Sequence, residues 1–136
     1  MKPEIFETLT RDFELHGRKY SAEIEISCTS DEYVSFDDLV DSKADPKGAE
    51  KLAHDLDSAN ASVLVILVEA TCGDLPDLLG SDSLGCCIVY NRQDVTDIVT
   101  THDMVENALS DLVSSYEREL ESAKRKVERL EQIKNK

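Results

Sequence analysis

Leu9-Thr10-Arg11-Asp12-Phe13-Glu14-Leu15-His16-Gly17-Arg18-Lys19-Tyr20-Ser21-Ala22-Glu23-Ile24-Glu25-Ile26-Ser27-Cys28 is the stretch on which the fold turns. On either side of His16-Gly17 the apolar residues alternate with polar ones, which is the period of a strand with one face buried. A two-residue loop at 16–17 sets Phe13 opposite Tyr20 and Leu9 opposite Ile24. The register that closes the turn therefore also gathers the apolar side chains on one side. Glu14, Glu23 and Glu25 fall on the other side, so the spacing predicts a hairpin over 8–28 in a sheet covered on one face only.

Working outward, residues 29–45 are rich in turn formers and carboxylates and predict a connection with one helical turn around Phe36–Val40. Asp45-Pro46 reads as an N-cap and first helical residue. Ala49, Leu52, Ala53 and Leu56 then recur at helical spacing, predicting a helix over 46–58. Ser62 to Thr71 is β-branched and apolar on both faces, as a central strand is. Gly73, Pro76, Gly80 and Gly85 punctuate the next stretch, 84–90 reads as a further strand, and Asp94–Thr100 as one or two helical turns. The expectation is an α+β domain over 1–100, with an antiparallel sheet of about four strands, a short helix, and one long amphipathic helix to follow.

That last helix is expected over 103–134, opened by a capping box between Asp103 and Glu106. Val105, Leu109, Leu112, Tyr116, Leu120, Ala123, Val127 and Leu130 recur at steps of three and four, a seam along one side. At ~1.5 Å per residue the helix reaches roughly 45 Å, longer than a domain of this size covers. Side-chain pairs such as Glu121 with Arg125 add only a few tenths of a kcal/mol each, so packing has to hold it. The expectation is an association helix carrying Leu109, Leu112, Tyr116, Leu120, Ala123, Val127 and Leu130, with a homodimer as its outcome.

The 136 residues fit one domain and are 40% hydrophobic and 32% charged, enough apolar material for a core. The formal charge is −14; residues 31–82 hold 13 acids against Lys43, Lys47 and Lys51, whereas 117–136 are weakly basic. Such a surface repels phosphate backbones, so no direct nucleic-acid binding is expected, and a basic protein partner, such as a nucleic-acid-binding protein, is. The plainer reading is that acidity keeps a small protein soluble. Cys28, Cys72, Cys86 and Cys87 form no C-x-x-C pair and read as reduced thiols. The longest apolar run, Val63–Val68, is far short of the roughly 20 residues that cross a bilayer, so no membrane role and a cytoplasmic location are expected.

Signals for chemistry are few. His16 sits at the hairpin turn, His54 on the polar side of the short helix and His102 before the last one, without ligand spacing between them. No nucleophile elbow or phosphate-binding glycine pattern occurs, and neither a catalytic residue nor a cofactor is expected. The segment 72–85 alternates Asp74, Asp77 and Asp82 with Leu75, Leu78 and Leu79 but lacks the spacing of a calcium loop. On one reading the leucines plug the end of the core while the aspartates cap turns. On the other it is a docking loop, and Asp74, Leu75, Asp77, Leu78 and Asp82 join Asp37, Asp38 and Asp41 in an acidic partner-binding surface. A metal-dependent enzyme built on Asp74, Asp77 and Asp82 is a further alternative, requiring tight divalent-ion binding.

The run Asp82–Val89 followed by His102–Leu109 resembles the ends of small accessory proteins of bacteriophages and mobile elements. That resemblance spans about a quarter of the chain and contains no catalytic signature. It implies an accessory role, such as an inhibitor of a host defence system in the manner of anti-CRISPR proteins; the acidic charge adds the expectation that such an inhibitor acts by occupying a basic surface on a host protein. A structural adaptor that oligomerises through its last helix is the competing expectation.

Overall fold

A computed structural model describes residues 4–135. The chain runs β1 (Glu4–Leu15), β2 (Arg18–Ser30), α1 (Phe36–Leu39), α2 (Pro46–Asp57), β3 (Ser62–Thr71), β4 (Gly80–Val89), α3 (Arg92–Thr101) and α4 (Met104–Lys134). The strands form one antiparallel sheet in the order β1-β2-β3-β4. The α+β class and the long terminal helix are thus as expected.

The first hairpin takes the expected register, with Leu9 opposite Ile24 and Phe13 opposite Tyr20, the latter rings stacked 5.7 Å apart. His16 and Gly17 both have positive φ (50° and 79°), the pair of left-handed residues that a type I′ turn needs to match the strand twist. β1 begins at Glu4, earlier than alternation alone suggests, because a bulge interrupts it. Ile5 pairs with Ser27 and Glu7 with Ile26, leaving Phe6 as the extra residue. Phe6 packs against the core, Arg92 lies 4.3 Å from its ring centre, and an Arg92 Nη2 hydrogen donates to the Phe6 carbonyl at 3.1 Å.

One face of the sheet carries the core: Ala22, Ile24 and Ile26 from β2, Ile66, Val68 and Ala70 from β3, and Cys87 and Val89 from β4. Val95 and Val99 of α3 and Met104, Val105, Ala108 and Leu112 of α4 close over it. The Cβ that Gly80 lacks would overlap the backbone of Ala108 and Leu112, so α4 crosses β4 at the one residue without a side chain there.

Further details differ from expectation. β4 starts at Gly80, four residues before 84, since Ala70 already pairs with Gly80. The connecting loop is therefore only 72–79, and Asp82 belongs to the strand. β4 also has a bulge: two residues, Gly85 and Cys86, stand against Val65, and Cys86 is left-handed at φ 57°. α3 occupies ten residues and is capped by Asn91, whose side chain accepts from the Asp94 amide at 3.0 Å. Finally, Asp103 does not form a capping box. It is itself left-handed at φ 51°, and its amide donates to the Thr100 carbonyl at 3.2 Å, so it terminates α3. A residue that ends one helix in this conformation cannot adopt the extended geometry from which a side chain caps the next.

Candidate association surfaces

α4 divides into two unequal environments. Its first half lies on the sheet and is tied there by polar contacts: Asp111 Oδ2 accepts from the Ser81 amide at 2.9 Å, and Asn107 Nδ2 donates to Asp82 at 3.0 Å and to the His102 carbonyl at 3.1 Å. The last hydrogen-bond, aromatic and ion-pair contacts with the head are Ser115 Oγ donating to the Leu79 carbonyl at 3.4 Å, Tyr116 beside His16, and Glu117 at 3.3 Å from His16 Nε2. Beyond them the helix leaves the sheet at the end bearing the β1–β2 turn and the 72–79 loop. Residues 121–135 are all exposed, including Val127 (54%), Leu130 (66%) and Ile133 (66%).

The expected seam thus splits by position. Leu112 is fully buried, Leu109, Tyr116 and Leu120 are half-buried, and Ala123, Val127 and Leu130 face water. Two of the best-buried residues, Met104 and Ala108, lie outside that seam: the helix presents a broader stripe to the sheet than a two-position seam describes. Ile133 adds an exposed apolar residue beside it.

The expected acidic surface is not one surface. Asp37 and Asp38 lie in α1 and Asp41 just after it, at the end of the sheet where β2 finishes and β3 begins. Asp74 and Asp77 are on the loop at the other end, one strand length of roughly 30 Å away. Leu75 and Leu78 pack against the core, Asp77 takes a left-handed turn at φ 68°, and Asp82 in β4 is held by Asn107. The plug reading therefore accounts for Leu75 and Leu78, but not for Leu79, which is 47% exposed. Among the described residues no three His, Cys, Asp or Glu side chains gather as metal ligands, and Asp74, Asp77 and Asp82 do not converge.

Several of the other carboxylates are locally engaged. Asp38 accepts from the Ser35 amide and hydroxyl, both at 3.0 Å, and these bonds hold its carboxyl below the usual range. Asp41 accepts from the amides of Lys43 and Ala44, and Asp45 caps α2 through the Gly48 amide at 3.0 Å. Asp31 spans the sheet to accept from the amide of bulged Cys86 at 2.8 Å. Buried Asp55 accepts from the Tyr90 hydroxyl at 2.9 Å, which raises the phenol pKa.

A further acidic feature was not apparent from local sequence. On the face opposite the core, Glu25 of β2 stands directly opposite Glu69 of β3, with Glu23 two residues along; the face is not bare, since Ser27, two residues further on the same side, is buried. They border a shallow groove of about 460 Å³ with Thr8, Thr10 and Thr71. Glu23 and Glu25 were readable as water-facing, but their meeting with Glu69 depends on the β2–β3 register. All four cysteines are free; burial pushes the Cys28 and Cys87 thiols up, away from the reactive thiolate.

Comparison with protein-family models, with curated proteins and with solved structures finds no match to this chain. Among the described residues, no helix is long and apolar enough to cross a membrane.

Proposed function

We propose that the protein is a non-catalytic binding protein: its acidic head occupies a basic surface on another protein, and the distal half of α4 is an association element. The observation that carries this reading is the apolar side of α4 left to water by its own chain, at Val127, Leu130 and Ile133. Helical propensity and the pair between Glu121 and Arg125, whose atoms stand 3.4 Å apart, hold such a segment only weakly, so a partner surface supplies the missing packing. The head favours a cationic partner because Glu25 and Glu69 are fixed opposite one another with like charge, a repulsion that an approaching base relieves. An inhibitor is the role implied by the resemblance to phage accessory proteins, and this distribution of charge suits one that masks a basic surface.

The exposed seam also favours a second reading, a structural adaptor whose acidity serves only solubility. The two separate in a capture experiment with the full chain as bait. One comparison bait carries Asp37→Asn, Asp38→Asn and Asp41→Asn, another Glu23→Gln, Glu25→Gln and Glu69→Gln, and a third Val127→Asp with Leu130→Asp. The inhibitor reading expects a basic protein whose retention falls as salt rises and is weakened by neutralising carboxylates. The adaptor reading expects loss only with the seam variant. Retention indifferent to salt and to all three variants defeats both.

A further inference from the structure

The exposed side of α4 is not randomly placed around the helix. Leu130 follows fully buried Leu112 by about five turns at ~3.6 residues each, so the two point the same way. Ala123 follows Leu112 by about three turns and lies on that side too, with Val127 only about 60° away. The apolar stripe that seals the sheet thus continues past the sheet in line with itself. Whatever covers Val127 and Leu130 must lie where the sheet would be if it extended further.

That placement selects among occupants. A second helix on this stripe sits about 8–10 Å from the first, on the side the sheet occupies farther up. A copy of this chain running parallel would drive its own N-terminal half through the first copy's sheet. A copy running antiparallel carries its head off past the far end of α4 and meets no such obstacle.

Charge then selects the register. Leu120, Ala123, Val127 and Leu130 take the alternating core positions of a heptad, which places Lys124 and Glu131 together on one flank and Lys126 and Ile133 on the other. If Leu120 meets the second copy's Leu130, each Lys124 faces the other Lys124 and each Glu117 faces a Glu131. Shifted by one heptad, Val127 meets the second copy's Leu130, each Lys124 faces a Glu131, and Ile133 lies along the aliphatic stem of Lys126. This second register covers all three large exposed apolar residues of the helix and leaves no like-charged pair on either flank.

From this continuity and complementarity we infer that the occupant is a second copy of the chain, joined antiparallel through the distal half of α4 with Val127 of each opposite Leu130 of the other and Lys124 beside Glu131. The inference rests on α4 being an association element and adds its partner, direction and register.

The test is the dissociation constant of the full-length protein at low ionic strength, by sedimentation equilibrium, with far-ultraviolet circular dichroism to confirm folding. Lys124→Glu and Glu131→Lys each turn two attractive pairs into repulsive ones and weaken the dimer on the order of tenfold. The double variant exchanges the charges and restores most of the affinity. A parallel pair would behave oppositely, since Lys124 and Glu131 would then face Glu119 and Lys126, and the double variant would be weaker than either single one. That result overturns the inference. So does a Lys124→Glu variant that associates like the parent, which indicates the other antiparallel register. A full chain that stays monomeric at every concentration also overturns it. Salt-sensitive capture of a basic protein by the Val127→Asp, Leu130→Asp chain does not depend on pairing, so the function proposed for the head stands or falls separately.

Discussion

Gly80 of β4 lies directly beneath Leu112 of α4: a Cβ at residue 80 would come 2.7 Å from the Leu112 Cα and overlap the Ala108 carbonyl. Backbone cannot yield as a flexible side chain can, so the helix would have to lift from the sheet. Gly80→Ala is expected to destabilise the fold by about 1–3 kcal/mol, read from the denaturant midpoint. A change within error would mean that α4 does not rest on this strand.

Asp103 ends α3 in a left-handed conformation and gives α4 no side-chain cap. Asp103→Gly is therefore expected to leave stability unchanged or raise it by up to about 1 kcal/mol, whereas Asp103→Ala lowers it by about 1 kcal/mol. Had the residue been the N-cap of a capping box, glycine would cost a few tenths and alanine would act through the lost cap alone. A thermal melt of both variants separates the two, because only the left-handed geometry makes glycine the better residue.

The Tyr90 hydroxyl is the donor to buried Asp55, linking the end of β4 to α2. Tyr90→Phe removes that donor and is expected to speed amide exchange across Pro46–Asp57 more than elsewhere. The bond requires the protonated phenol, and the folded state raises the Tyr90 pKa above its ordinary value. Its contribution is therefore complete below the unfolded phenol value of ~10 and is lost as pH climbs through the raised folded value. The parent should lose stability over that alkaline window by more than Tyr90→Phe does; equal losses would argue against the link.

Acidification tests the other end of the scale. The bonds from Ser35 lower the Asp38 pKa, so their contribution is present above the unfolded carboxylate value and disappears as pH falls through the depressed folded one. The turn at Phe36–Leu39 is expected to loosen in that acidic range, and Asp38→Asn to loosen it already at neutral pH. Backbone amide shifts of residues 35–39 report both effects.

Glu25 and Glu69 oppose each other across β2 and β3 on the face opposite the core. Glu69→Gln is expected to raise stability by about 0.2–1 kcal/mol at low salt, with the gain shrinking as salt screens the repulsion. The same variant should bind a basic partner less tightly, the usual exchange of stability for recognition. A stability loss would show that Glu69 serves the fold rather than the surface.

Alternation and helical spacing, carried by contiguous residues, were sufficient for much of the fold. The Phe13–Tyr20 and Leu9–Ile24 pairs follow from a two-residue turn between alternating strands, and the α2 cap follows from Asp45-Pro46. Where one residue does duty in two elements, local patterns mislead. Asp103 resembles a cap but terminates the preceding helix, and Gly80 resembles a loop breaker but is where a strand passes under a helix.

What the sequence by itself determined is therefore the element types, the first hairpin's register and the surplus length of α4, since each depends on neighbours within a few turns or one tight loop. Only the tertiary structure decided that Glu69 faces Glu25, that the aspartates of α1 and of the 72–79 loop lie at opposite ends of the sheet, and that α4's exposed stripe continues its buried one. These relationships join residues far apart in sequence, and their geometry is set by strand register and by where α4 crosses the sheet, which no local pattern specifies.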